Sequence, residues 1–405
     1  MTTSRDQRPP LLVFSDDWGR HPSSCQHLIS RLLDRYDVTW VNTIGLRVPK
    51  FNKATVTRGL EKLRDWTGLG AKAPAPSSPL AASPKVLNPK MWPWFGSSFD
   101  RRINREMLLR QLTPVVERLP APPVAITTIP IVADLIGRLP VARWVYYCVD
   151  DFTVWPGLDQ KALKEIEGPL IDRADVLIAA SAALQERFAT LGRPSHLLTH
   201  GVNPDDWTGV GEDTSPLPGL DRLVRPLVVF WGLIDRRLDV ASLSRLCAEL
   251  REGTVVLVGP ESDPDLALNE IPGLVRLPAM RYEELPRLAR EAKVLIMPYA
   301  DLPVTRMIQP LKLAEYLATD RAVVVRDLPA NRPWADALDL VGTPEAFSAA
   351  VRERLATGVT ASQRIARQRL SAERWEAKAA AFERWAIVRE PSVSSQSGMA
   401  EVTRP

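Results

Sequence analysis

The sequence predicts an α/β protein of two Rossmann-like domains, each a doubly wound parallel sheet, and three observations lead there. The chain has 405 residues, more than one hydrophobic core ordinarily organises. Short apolar runs alternate with amphipathic helical stretches, as in a parallel sheet with helical crossovers. The pattern also starts twice, with LLVF at 11–14 and LVVF at 227–230.

In the first half, the run at 11–14 is followed by the turn-prone Asp16, Asp17, Trp18 and Gly19. Leu28, Ile29, Leu32, Leu33 and Tyr36 then share one helical face before a second strand at 38–41. Further strands are expected at 124–128, 145–149, 176–180 and 196–199, and in the second half at 255–258, 294–297 and 322–325. The stretch 204–226, rich in Asp, Gly and Pro, reads as the connection. We expect an acceptor-binding domain at 1–208, a second domain at 209–370, a helix at 371–388 packing back on the first domain, and a disordered tail at 389–405. Residues 47–105 break the rhythm: they are basic and proline-rich, with Trp66, Trp92 and Trp94 interleaved. They read either as a solvated insertion or as a patch resting on anionic lipid.

Composition narrows the class. Apolar residues make up 45% and charged residues 25% of the chain, as in globular proteins. The net charge of +4 suits anionic small-molecule or lipid partners without calling for nucleic acid. Cys25, Cys148 and Cys247 lack metal spacing and read as thiols in a reducing compartment. No signal-like or membrane-spanning run stands out, so the expected location is the cytoplasm, with peripheral attachment to the inner face of the membrane as the variant.

The common cofactor signatures are missing: no G-x-G-x-x-G follows either first strand, and there is no P-loop and no nucleophile elbow. His196 and His200 are four apart, but at a strand-to-loop junction rather than on a helix, so no metal site is expected. The chemistry concentrates in TRMIQPLKLAEYLATDRAVVV, 305–325. Pro310 suits the first turn of a helix whose apolar face is Leu311, Leu313, Ala314, Leu317 and Ala318. Its free amides and Lys312 make an anion site, and Glu315 sits one turn further in, placed to accept from a sugar diol.

This stretch resembles the E-x7-E region of retaining GT-B glycosyltransferases of family 4, in a subgroup reading N-P-L-K-x-x-E-Y-L-A-x-G-K-P-V-V. VYYCVDDFTVWPG at 145–157 is similar to that subgroup's Y-D-C-V-D-D-F-x-x-x-P-G, and 232–239 to G-x-I-D-x-R-L-D. Blocks around Glu167, Ser181 and 196–202 follow in the same order.

The resemblance implies a GT-B fold, a nucleotide-sugar donor, a saccharide or lipid-linked acceptor, and retaining transfer with no metal or organic cofactor. A role in cell-surface polysaccharide or glycolipid synthesis goes with it. By position, Glu315 would meet the ribose. Gly232, Arg236, Arg237, Gln309, Pro310, Leu311 and Lys312 would surround the donor, with Arg237 and Lys312 on its diphosphate. Asp150 and Asp151 would face the transferred sugar, and Asp16, Asp17, Trp18 and His200 the acceptor. Met307 stands where the family's first glutamate would be, and Asp320 replaces its helix-ending glycine in what would be a left-handed residue. These departures keep open a second reading, a GT-B-like protein that binds nucleotide sugars without turning them over. The residues also have plainer readings: Lys312 as a solvated face residue, Arg237 as a partner of Asp235, Asp151 as a helix cap, Asp17 as a turn residue.

Overall fold

The computed structural model describes residues 8–19, 23–46, 83–208 and 217–388. The tail at 389–405, most of the 47–105 segment and His21 lie outside them.

Seven parallel strands form the first sheet: β1 Leu11–Ser15, β2 Val38–Asn42, β3 Lys85–Leu87, β4 Val124–Thr127, β5 Arg143–Cys148, β6 Val176–Ala179 and β7 His196–Leu197. Their spatial order is 3-2-1-4-5-6-7. Six parallel strands form the second: β8 Leu227–Trp231, β9 Thr254–Val258, β10 Leu274–Leu277, β11 Ala292–Met297, β12 Ala322–Arg326 and β13 Asp339–Val341. Their order, 10-9-8-11-12-13, repeats the first sheet's plan. In each sheet the winding reverses beside the first strand, between β1 and β4 and between β8 and β11. Ligands of open α/β sheets bind at the carboxyl ends of the strands beside such a reversal.

Both faces of the first sheet are covered, which is why its strands read as continuous apolar runs. Along β1, Leu12 and Phe14 enter one core cluster, while Leu11 and Val13 enter the other. The second cluster also takes Leu28 and Ile29 of α1 (Ser24–Ser30), and Trp375, Ala379, Phe382 and Ala386 of the chain's last described helix, Trp375–Ala386. The stripe at 375–386 is therefore core packing. The second sheet has its own cluster, from Val202 to Leu370.

Two expectations change. Residues 83–105, read as part of an insertion, belong to the first sheet. There β3 pairs in parallel with β2, and α2 (Ser98–Val116) buries Asn104, Leu108, Leu112 and Val116. A Ser97–Asp100 capping box starts α2. Asp320 is not left-handed, because the helix before it ends at Leu317 with right-handed Ala318 as its cap. Among described non-glycine residues only Asp263 has a positive φ, 52°. Asp320 instead accepts from Arg364 Nε at 2.7 Å.

All three cysteines are free, Cys25 and Cys148 buried and Cys247 partly so. No described helix is long and apolar enough to cross a membrane.

Candidate functional site

The second sheet's reversal carries the densest chemistry. Gly232, directly after β8, has φ 130°, and a Cβ there would overlap the Lys312 ammonium. The positive φ favours glycine there, and any larger residue would push the Lys312 ammonium out of its place. Lys312 stands on α3 (Leu311–Leu317). Pro310 just precedes that helix with an extended ψ of 121°, so the helix begins one residue later than expected. The Lys312 ammonium donates to Tyr299 Oη at 2.8 Å, and lies 4.3 Å from the centre of the Phe230 ring. No described carboxylate forms an ion pair with it.

Arg237, 7% exposed, follows β8 on the facing loop. Its Nε donates to both Asp235 oxygens at 3.0 Å. Its guanidinium carbon lies 4.6 Å from the centre of the Trp155 ring, which arrives from the first sheet's loops. Among the described residues neither Nη group donates to a protein acceptor. The fork is fixed by one edge and open on the other, a geometry that suits phosphate oxygens. Arg236 turns away to an exposed pair with Asp263 at 2.9 Å, so its charge is compensated at the rim.

Glu315 is buried, with Oε2 accepting from Trp231 Nε1 at 3.1 Å. Burial pushes its carboxyl up to about 7, against the pull of Trp231, Lys312 and the Tyr282 hydroxyl. Trp231, at the end of β8, packs edge-on to Tyr316 at 4.3 Å and lies parallel to Trp207 at 5.5 Å.

Across the cleft, Asp150 follows β5. Burial pushes it up to about 7, opposed by Arg237 and reinforced by Asp151. Asp151 points inward instead. It accepts from the Thr153 amide at 2.9 Å and from its hydroxyl, and pairs with Arg187 at 3.6 Å. Arg187 also holds the fully buried Glu167. Asp151 is thus a turn cap, and of the pair it is Asp150 that feels the charge of Arg237.

The predicted acceptor residues divide. Asp16 directly follows β1 but spends its carboxylate locally, accepting from Ser15 at 2.8 Å, Ser23 at 2.9 Å and Gln26 at 2.8 Å. Asp17 is exposed, and its carbonyl accepts from Gln26. The Trp18 amide donates to Asn42, and its ring packs edge-on to Trp40 at 4.7 Å. His200 does not join them: it is buried against the Gln309 backbone, and burial pushes it down to about 3, with Lys378 and His27 adding to that. From the loop after β7 it packs against the backbone of the loop before α3. His196 stacks on Trp385 at 4.7 Å, so the two histidines do not converge.

Met307 shows why a glutamate is missing there. It packs against the first sheet's core, and its carbonyl accepts from Ser181 at 2.5 Å. Leu311 likewise packs against the first sheet's other cluster. The loop before α3 thus docks through apolar contacts, where a carboxylate would be desolvated.

Sequence reasoning missed Tyr299, Trp155, Trp231 and Tyr282, and it named Asp235 only as the plainer partner of Arg237. The switch-point rule applied to the end of β11 points to Tyr299; the other aromatics are indistinguishable from core residues in sequence.

No protein-family model matches the chain. Over 185 residues it is 29% identical to the putative teichuronic acid biosynthesis glycosyltransferase TuaH of Bacillus subtilis (strain 168), a match covering 42% of this chain and 45% of that protein. The match therefore spans under half the length of that relative. Among solved structures, a sucrose-phosphate synthase from Thermosynechococcus elongatus superposes with a TM-score of 0.67 at 14% identity, covering 93% of this chain and 98% of that one. An α,α-trehalose-phosphate synthase (UDP-forming) from Burkholderia xenovorans, in complex with glucose-6-phosphate, gives 0.63 at 13%, covering 93% and 99%. Anabaena HepE in complex with UDP-glucose gives 0.58 at 12%, covering 94% and 96%. The fold of this chain is GT-B: two parallel-sheet α/β domains like those of these neighbours.

Proposed function

We propose that the protein is a glycosyltransferase that moves a sugar from a nucleoside-diphosphate sugar to an acceptor hydroxyl, with retention of anomeric configuration and without a metal. The observation that carries the reading is the pair Lys312 and Arg237. Both are fixed by aromatic and polar neighbours at the switch point, and both have donors left open. Fixed cations at that place stabilise charge developing on a leaving diphosphate at no reorganisation cost. Glu315 would accept from the ribose diol, Gly232 and the 309–311 loop would give the donor close backbone approach, and Asp150 would meet a hydroxyl of the transferred sugar. In the retaining scheme a diphosphate oxygen takes the proton of the incoming hydroxyl as the sugar–phosphate bond breaks and the new glycosidic bond forms on the same face.

The named relatives support this reading, one through its teichuronic acid role and another through its UDP-glucose complex. They favour a saccharide or lipid-linked acceptor and a role in surface polysaccharide synthesis. Exposed Lys85, Lys90 and Arg102 beside Trp92 and Phe99 favour peripheral contact with anionic lipid.

The test incubates purified protein with UDP-, GDP- and dTDP-sugars plus oligosaccharide or polyprenyl-phosphate glycan acceptors, with and without EDTA. Acceptor-dependent release of one nucleoside diphosphate, unchanged by EDTA, is expected. Tight binding of a nucleotide sugar with no release on any acceptor would replace the enzyme with a binding protein.

A further inference from the structure

We propose that Tyr299 is a positioning residue that holds both cations of the site, aiming each without neutralising either. This rests on the reading above, that Lys312 and Arg237 meet a diphosphate. Tyr299 is the second residue after β11, at the strand reversal, and 2% exposed. Its backbone is stapled to the loop that carries Arg237: Leu238 and Tyr299 form an antiparallel bridge, the Ala300 amide donates to the Arg237 carbonyl at 2.8 Å, and the Asp239 amide to the Pro298 carbonyl at 2.8 Å. Its ring centre lies 5.5 Å from the Arg237 guanidinium carbon and 5.2 Å from the Lys312 ammonium. Its hydroxyl accepts from that ammonium at 2.8 Å.

The residue type matters. A carboxylate here would form an ion pair with Lys312 and cancel the charge that an incoming anion needs. A phenol oxygen directs the ammonium through one hydrogen bond from an uncharged acceptor, and the ring adds cation–π attraction to Arg237. Phenylalanine would keep the ring and lose the direction given to Lys312. Leucine would lose both.

The experiment measures, by titration calorimetry, binding of UDP, GDP, inorganic pyrophosphate, uridine and guanosine to the full chain, to Tyr299→Phe and to Tyr299→Leu. Melting temperatures of the unliganded proteins are recorded alongside. Tyr299→Phe is volume-conserving and keeps the core contacts. We expect it to weaken binding of the recognised nucleoside diphosphate about tenfold and that of the matching nucleoside not at all. Tyr299→Leu should weaken the diphosphate further; if that variant does not fold, Tyr299→Phe decides alone. Unchanged diphosphate affinity in Tyr299→Phe would overturn the positioning role while leaving the diphosphate site standing. Equal losses for nucleoside and nucleoside diphosphate would make Tyr299 merely structural and overturn the proposal as well. A wild-type protein that binds no nucleoside diphosphate would overturn the site reading itself, and this inference with it.

Discussion

The two sheets repeat one plan, yet their reversal points have opposite chemistry. At the end of β1, the Asp16 carboxylate is consumed by three donors from its own domain, and the Trp18 ring lies on Trp40. At the end of β8, Lys312 has a neutral hydroxyl as its hydrogen-bond partner, and Arg237 keeps its Nη groups open. A carboxylate whose acceptors are taken by its own fold has little left for a ligand, whereas a cation held in place with N–H donors left open is prepared for an anion. Topology alone marks both places; the hydrogen-bond accounting separates the one that is prepared from the one that is built.

The largest expected effect follows from removing a prepared charge. Lys312→Ala should lower turnover of the nucleotide sugar by about 100-fold or more, the usual loss for one preorganised charge at a leaving group. Rates with saturating donor and acceptor are the measurement. A variant within a factor of about three of wild type would dissolve the contrast between the two reversal points.

A smaller effect, visible in its pH dependence, should come from Glu315. Burial holds its carboxyl at about 7, against an ordinary value of 4.5. Between those values the folded chain keeps a proton that the unfolded chain has released. This group's contribution to stability is therefore complete below the unfolded value and is lost as pH rises through about 7. The donor diol needs the ionised form, so wild-type affinity for the donor nucleotide should rise as pH climbs through the same window. Glu315→Gln should flatten both trends, with its melting temperature gaining on the wild type between about pH 5 and pH 8. Parallel pH profiles for the two proteins would show that Glu315 does not titrate where its burial places it.

The sequence made the frame of this contrast legible and hid its decisive contacts. β1, β8 and β11 are dense apolar runs because both of their faces are buried, and such runs survive without tertiary knowledge. The relative placement of Lys312 and Glu315 is legible because they share one helical stretch, where spacing maps onto geometry. β3 was missed because a three-residue edge strand has too few side chains to show a period. Tyr299 and Trp155 were missed for a different reason. Aromatic residues after strands and in the loops beyond them look like core, and these two reach Lys312 and Arg237 through tertiary contacts that local pattern does not encode. Asp150 and Asp151 look equivalent in sequence until Arg187 and Thr153 claim one of them.

The smallest expected effect tests the other side of the comparison. If the Asp16 carboxylate organises its own loop, Asp16→Ala frees the Ser23 hydroxyl and the Gln26 amide and loosens the start of α1. At an exposed position water replaces the lost partners, so the penalty is one of ordering rather than of stranded charge. For a domain of about 200 residues that loses about 1 kcal/mol, a fall in melting temperature of about 2–4 °C is expected, with nucleoside-diphosphate affinity unchanged. The Trp40 indole bonds the Asp16 carbonyl rather than its carboxylate, so the backbone of the turn should hold. The conservative Asp16→Asn variant keeps one accepting oxygen and should fall between the two. The informative exception is a variant whose melting temperature is intact but whose transfer to acceptor has collapsed. The carboxylate would then be serving an acceptor hydroxyl directly, and the first reversal point would have to be counted as prepared, like the second.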